Sequence, residues 1–283
     1  MLTIFQSIIL GAVQGITELF PISSLGHSVI LPSLLHWHIV QSDPSFVTFL
    51  VATHFATALV LFIFFWQDWK KIIAGFLRTV GRFKVDKNNT YEKLAWLLIL
   101  GTVPAGLLGL ILQKKLELIF AAPAAAAFFL IVNGLVLFAA ESHIKKHHTT
   151  RESGSDRQIA TLSWWQSIKI GCMQALSLIP GLSRTGSTLT GGVFSGLSRE
   201  DAARFAFLLA TPIIGAAAVL KLPRLLHSSY AIMPTLVGAC AAALCAYVSV
   251  KFLMKYFQTN TLRPFAWYCV VFGLFSLVVI FFK

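Results

Sequence analysis

The chain alternates between long apolar runs and short polar connections. Six runs, 46–66, 94–112, 123–140, 205–220, 231–250 and 265–282, contain no Asp, Glu, Lys or Arg. A hydrocarbon core about 30 Å thick takes about 20 helical residues, so each run predicts one spanning helix, the shorter ones only just. The pattern breaks at two places. Positions 2–17 form an apolar helix only about 24 Å long at 1.5 Å per residue, and Pro21 and Pro32 interrupt the residues after it. A second polar stretch is broken by Pro180, Gly181 and Gly186. Non-helical backbone at membrane depth persists only where it is buried in protein or lines a wet cavity, so both stretches predict re-entrant hairpins.

The two breaks carry the same lettering. Gly11, Gln14, Ser23, Gly26 and Ser28 recur, offset by 160, as Gly171, Gln174, Ser183, Gly186 and Thr188, and 49–53 recurs as 207–211. Broken segments in corresponding positions of two halves point to a binding site in a membrane protein. The expected fold is all-α: a polytopic integral membrane protein with six spanning helices plus two re-entrant broken-helix segments in an inverted repeat. It forms a single membrane domain over 1–283, with repeat one at about 1–140, repeat two at about 160–283, and cytoplasmic loops at about 67–93 and 141–163.

Composition excludes a soluble globular protein, since 57% of residues are hydrophobic and only 12% charged. The first ten residues lack the basic region of a secretory signal peptide. The net charge of +12 does not imply nucleic acid, because the basic residues cluster in the connections between apolar runs. Seven Lys and Arg fall in 67–93, four in 141–163 and three in 251–264, against two in 113–122 and one in 223–230. If each broken segment enters and leaves on one side, the richer connections share a face, cytoplasmic by the positive-inside tendency. The two repeats are then inverted, and their polar loops can meet near the midplane. Cys172, Cys240, Cys245 and Cys269 show no ligand-like spacing and are read as small buried hydrophobes. The segment 145–156 reads as a solvated loop, in which nothing fixes His143, His147 and His148 as a metal site.

Of eleven acidic residues, only Glu18 sits inside an apolar motif. Glu200 and Asp201 belong to an SRED sequence that reads as a helix start. An ionisable group at membrane depth marks a functional site by default. Gln14 lies one helical turn before Glu18, and Ser23, Ser24, Gly26 and His27 come shortly after it. The second copy supplies a fixed cation, Arg184, where the first has Ser24, among Ser183, Gly186, Ser187 and Thr188. Glycine, hydroxyls and exposed amides at a helix start suit an anion, and Arg adds a planar fork for phosphate oxygens. Glu18 and Gln14 would favour a hard cation, Mg²⁺ or Ca²⁺, with substrate phosphate completing its shell. Together these residues suggest a site for a phosphorylated substrate.

The segments QGITELFPISSLGHS and PGLSRTGST resemble the two signature segments of the bacterial undecaprenyl-diphosphate phosphatases, also called bacitracin-resistance proteins, and the similarity extends over essentially the whole chain. The resemblance implies a multi-pass phosphatase of the bacterial cell (inner) membrane that removes the terminal phosphate of a C55 polyprenyl diphosphate, recycling the carrier lipid of cell-wall synthesis. It places the family's acidic motif on Gln14 and Glu18, its serine and histidine on Ser24 and His27, and its arginine on Arg184; Ser24 would then attack phosphorus or position a water, and His27 would be base, acid or nucleophile. Many members carry Glu where this chain has Gln14, so the site loses one negative charge. His54 stands where Gln is common and reads as a hydrogen-bonded helix residue rather than a catalyst. The expected partners are the lipid substrate and the membrane, with a homodimer as an open expectation. A secondary transporter or flippase of a phosphorylated lipid is the rival reading, because inverted repeats and broken helices also serve alternating access. A lipid kinase is disfavoured, since no GxxxxGK[ST] loop occurs.

Overall fold

The structure, a computed structural model, describes residues 2–40, 43–86, 88–119, 122–146, 156–226 and 232–282, and every regular element among them is helical. In chain order these are α1 (Ile4–Thr17), α2 (Ser24–Leu34), α3 (Pro44–Phe64), α4 (Trp66–Arg82), α5 (Thr90–Ile119) and α6 (Pro123–Lys146). Next come α7 (Asp156–Ile159), α8 (Trp164–Ala175), a 3-10 turn (Leu176–Leu178), α9 (Arg184–Phe194), α10 (Arg199–Leu226), α11 (Ile232–Thr259) and α12 (Arg263–Phe281). Six of them, α3, α5, α6, α10, α11 and α12, are long and apolar enough to cross a membrane, as the apolar runs predict.

The sequence echo starts earlier than its lettering suggests. Helix α1 opens with a capping box in which Thr3 Oγ1 accepts from Gln6 N at 3.2 Å and Gln6 Oε1 accepts from Thr3 N at 2.9 Å. Helix α8 opens with the same device between Ser163 and Gln166, at 3.2 and 2.7 Å. Two backbone donors are satisfied reciprocally at each start. Both helices then approach a partner through glycine. A Cβ on Gly11 would lie 2.2 Å from the Gly238 carbonyl oxygen of α11, and one on Gly171 would lie 2.3 Å from that of Gly101 in α5. The opening helix of each half thus packs on a helix of the other half, and α6 packs on α12 between the halves.

Several boundaries differ from the expectation. The connection 67–93 is largely the amphipathic helix α4, which buries Ile72, Gly75 and Thr79 and exposes Ile73, Leu77 and Val80. Such a helix suits the membrane interface. It is pinned by Glu92, which pairs with Arg78 and Arg82, and by Arg204, which bonds Asp68 and Asp156 at 2.8 and 2.9 Å. Burial pushes the Asp68 carboxyl above its usual range, with Arg204 opposing the shift and Asp156 adding to it. The connection 141–163 begins inside α6, which runs to Lys146, and contains α7. His147 and His148 lie outside the described residues, while the His143 ring packs edge-on against Phe194. Pro32 does not end α2; it sits inside the helix two residues before its close and forgoes the one backbone bond its missing N–H would have made. Ser198 caps α10 by accepting from Asp201 N at 3.1 Å, as the SRED sequence predicts. All four cysteines are free, but Cys172 and Cys240 are exposed rather than buried. Both lie on a surface crowded with exposed Phe, Leu, Ile and Val, which is what a lipid solvent permits.

Candidate active site

Two polar turns meet in the interior. The first runs from the C-terminal end of α1 through Pro21 to the start of α2, and the second from the 3-10 turn through Gly181 to the start of α9. Both helices are capped alike: Ser23 Oγ accepts from Gly26 N at 3.2 Å, and Ser183 Oγ accepts from Gly186 N at 3.0 Å. The turns touch at glycine, since a Cβ on Gly26 would lie 3.1 Å from Gly181 Cα. Gly181 has φ of +99° and a Cβ there would lie 2.3 Å from the Ala126 carbonyl oxygen, so this position requires glycine twice over.

Asn133 of α6 holds the two turns together. Its Nδ2 donates to the Pro21 carbonyl at 2.8 Å, and its Oδ1 accepts from Ser183 N at 3.0 Å. Thr185 Oγ1 adds a direct link by donating to the Glu18 carbonyl oxygen at 2.9 Å. No motif marks Asn133, yet it is the one side chain in the run 123–140 able to form such hydrogen bonds.

Glu18, buried at the end of α1, is the hub. Its Oε2 accepts from Gln14 Nε2 at 2.9 Å and from Ser24 Oγ at 2.5 Å, while Arg184 donates to Oε1. His54 Nε2 stands 3.3 Å from Oε2, and its Nδ1 donates to the Leu50 carbonyl at 2.7 Å, which orients the ring. Four side chains from four helices therefore converge on one carboxylate. Glu92 and Glu141 are also buried, but Glu92 is held by Arg78 and Arg82 and Glu141 by Arg199, and Glu141 also accepts the Leu262 N–H. Those two are structural pairs. Glu18 alone among the described residues faces a hydroxyl, an imidazole, an amide and a guanidinium.

The remaining predicted residues are placed differently. His27 points away from this cluster: Nδ1 bonds the Ser23 carbonyl at 2.7 Å and Nε2 the Tyr268 hydroxyl at 2.8 Å. The hydroxyl oxygens of Ser23 and Ser183 accept the capping bonds and each keeps its O–H to donate, whereas Thr188 Oγ1 donates to the Arg184 carbonyl. Ser187 is buried on α9. The two helix starts add first-turn amides without an intrahelical partner, of which Gly26 N and Gly186 N are taken by the serine caps. Among the described residues no group of three or more His, Cys, Asp and Glu side chains could hold a metal. Gln14 Oε1, however, is buried beside Glu18 with no hydrogen-bond partner among the described residues. One carboxylate and one amide oxygen fit a hard cation that takes the rest of its shell from water and phosphate.

The fold and site define a polytopic membrane protein in which two motif turns share a buried cluster of a carboxylate, a hydroxyl and a guanidinium. Residues 7–275 match the family of the bacitracin resistance protein BacA, and the chain belongs to that family. It is 43% identical to Undecaprenyl-diphosphatase 2 of Chromobacterium violaceum, over 96% of this chain and 97% of the relative. It is 41% identical to Undecaprenyl-diphosphatase of Mycolicibacterium paratuberculosis (98% and 97% covered) and 43% identical to that of Acidiphilium cryptum (97% of each).

Proposed function

We propose that the chain hydrolyses undecaprenyl diphosphate to the monophosphate and inorganic phosphate, recycling the carrier lipid of cell-wall synthesis and conferring resistance to bacitracin. The observation that carries the chemistry is the Ser24 hydroxyl, which donates to one oxygen of Glu18 while Arg184 holds the other. A hydroxyl aimed at a carboxylate, beside a guanidinium and two helix starts, suits a reaction that depends on positioning and charge neutralisation. The names of the relatives supply the lipid class.

In this reading the terminal phosphate is seated by Arg184 and the first-turn amides of α2 and α9. Ser24 Oγ attacks the terminal phosphorus and its proton passes to Glu18. The anhydride P–O bond breaks, and the polyprenyl monophosphate leaves. Water then cleaves the Ser24 phosphoester, releasing phosphate and restoring the hydroxyl. Glu18, rather than His27, takes the proton because Ser24 bonds to it directly. Gln14 Oε1 and Glu18 would hold Mg²⁺ or Ca²⁺, which when bound supplies neutralisation of phosphate charge.

The matching capping boxes and the exchanged packing of α1 and α8 support two repeats. We take them as inverted in the bacterial inner membrane, with α4 on the cytoplasmic side and the motif turns re-entrant. The four side chains that converge on Glu18 all come from one chain, and a homodimer remains a proposal beside them. The test is phosphate release from C55 polyprenyl diphosphate by detergent-purified protein with Mg²⁺, and trapping of phosphate on Ser24. Release that survives Ser24→Ala and Arg184→Ala would refute the site; lipid movement in liposomes without release would favour a transporter.

A further inference from the structure

His27 invites a chemical role by its place in the motif, but its surroundings describe another one. Both ring nitrogens are engaged away from the Glu18 cluster. Nδ1 faces a carbonyl, which has no proton to give, so Nδ1 carries the hydrogen and donates to Ser23 at 2.7 Å. In the neutral ring Nε2 is then the acceptor, and the Tyr268 hydroxyl lies 2.8 Å from it. The imidazole also stacks on the Tyr268 and Phe272 rings of α12, with centroids at 5.7 and 5.1 Å and planes within 9° and 4° of parallel. The ring is held on its face and at both nitrogens.

The residue it grips is the strained one. Ser23 has φ of +67° and ψ of +98°, a conformation that residues with a Cβ rarely adopt. Its counterpart in the second copy, Ser183, has φ of −85° and ψ of +128° and needs no such restraint. Ser23 immediately precedes Ser24, so its backbone torsions set where Ser24 Oγ points. The Ser23 carbonyl accepts both His27 N at 3.2 Å and His27 Nδ1, a double grip on the strained peptide. The second copy has Ser187 where the first has His27, and the turn it belongs to carries Arg184 in place of the Ser24 hydroxyl.

We propose that Tyr268 and His27 form a clamp on the Ser23 carbonyl that holds this strained turn and so aims Ser24 Oγ at Glu18. Both are positioning residues. Tyr268, far from either motif in sequence, becomes part of the machinery through α12. The proposal rests on the phosphatase reading only for its kinetic readout.

The test uses the full-length chain in detergent with C55 polyprenyl diphosphate. Tyr268→Phe keeps the stack and removes the hydroxyl; kcat falls about three- to tenfold, the worth of one hydrogen bond, with KM within about twofold. His27→Asn keeps a donor near the Nδ1 position and retains about tenfold more kcat than His27→Ala. Equal losses in His27→Asn and His27→Ala, with wild-type melting temperatures, would show that the imidazole itself does chemistry and would overturn the clamp. ¹⁵N-histidine spectra read the contact without turnover. The His27 signal, identified by its loss in His27→Asn, is Nδ1-protonated in the wild type and moves at Nε2 in Tyr268→Phe. An unmoved signal refutes the clamp even if phosphate is released. A moved signal in a protein that releases no phosphate sustains the clamp and removes the phosphatase reading instead.

Discussion

Replacing Asn133 with leucine tests whether one amide joins the two motif turns. Leucine has nearly the same shape but neither donor nor acceptor. The substitution removes the 2.8 Å bond to the Pro21 carbonyl and the 3.0 Å bond from Ser183 N, and both backbone groups are left in a buried place. An unsatisfied buried polar group costs about 1–3 kcal/mol, so the pair gives about 2–6 kcal/mol. The Cys269 thiol, 3.9 Å from the Pro21 oxygen, is a weak substitute partner and places the result toward the lower end. Asn133→Asp should be worse, because it keeps the acceptor for Ser183 but turns a carboxylate oxygen toward the Pro21 carbonyl. The assay is unfolding in mixed micelles by a denaturing detergent, followed by helical circular dichroism, together with phosphate release at a temperature where both variants stay folded. Activity should fall further than stability alone explains, since the turns carry Glu18 and Arg184. Unfolding of Asn133→Leu within about 0.5 kcal/mol of wild type, with normal phosphate release, would sink the idea that this amide unites the site.

The same geometry sets other outcomes. Gly11→Ala and Gly171→Ala should each lower stability by about 1–3 kcal/mol or more, because each new methyl meets a backbone carbonyl that cannot move aside; unaltered melting temperatures would count against the helix pairing. His54→Leu should lower kcat about tenfold or more by freeing one side of the Glu18 carboxylate, whereas His54→Gln, which restores a donor, should recover most of it; equal activities would make His54 a bystander. Gln14→Glu should tighten Mg²⁺ binding, measured by calorimetry or by the Mg²⁺-dependent rise in melting temperature, by about tenfold. An unchanged affinity would place any cation elsewhere.

The spanning helices are legible because lipid imposes their length and excludes charge from them, and all six runs lie within or nearly coincide with six long helices. Helix α4 does carry a helical period, with Trp69, Ile72, Ile73, Phe76, Leu77 and Val80 on its apolar side, but the basic residues between them make the stretch read as a connection between spans. The meeting of Glu18 with Arg184 can be anticipated from the repeat, since both sit at the same kind of break. The company around Glu18 is less accessible. His54 and Asn133 are isolated polar residues in apolar runs, and only packing shows that one reaches Glu18 while the other bridges the turns. Ser23 and Ser183, read from the sequence as phosphate ligands, also cap helices through the same oxygens, a second use that the structure adds. Gln174 shows the divergence of the copies in one residue. Its counterpart Gln14 bonds Glu18 one turn later, but the second copy has Leu178 there, and both polar atoms of the buried Gln174 amide lack partners.

The exchange of opening helices also governs how the chain can be assembled. Helix α1 leaves the N-terminal half to lie on α11, and α8 leaves the C-terminal half to lie on α5. During synthesis α1 must therefore wait, with its glycine seam uncovered, until α11 has entered the membrane near the end of the chain. A chain divided between α6 and α7 would yield fragments that each lack the other's seat, and activity should return only where both are made in the same membrane.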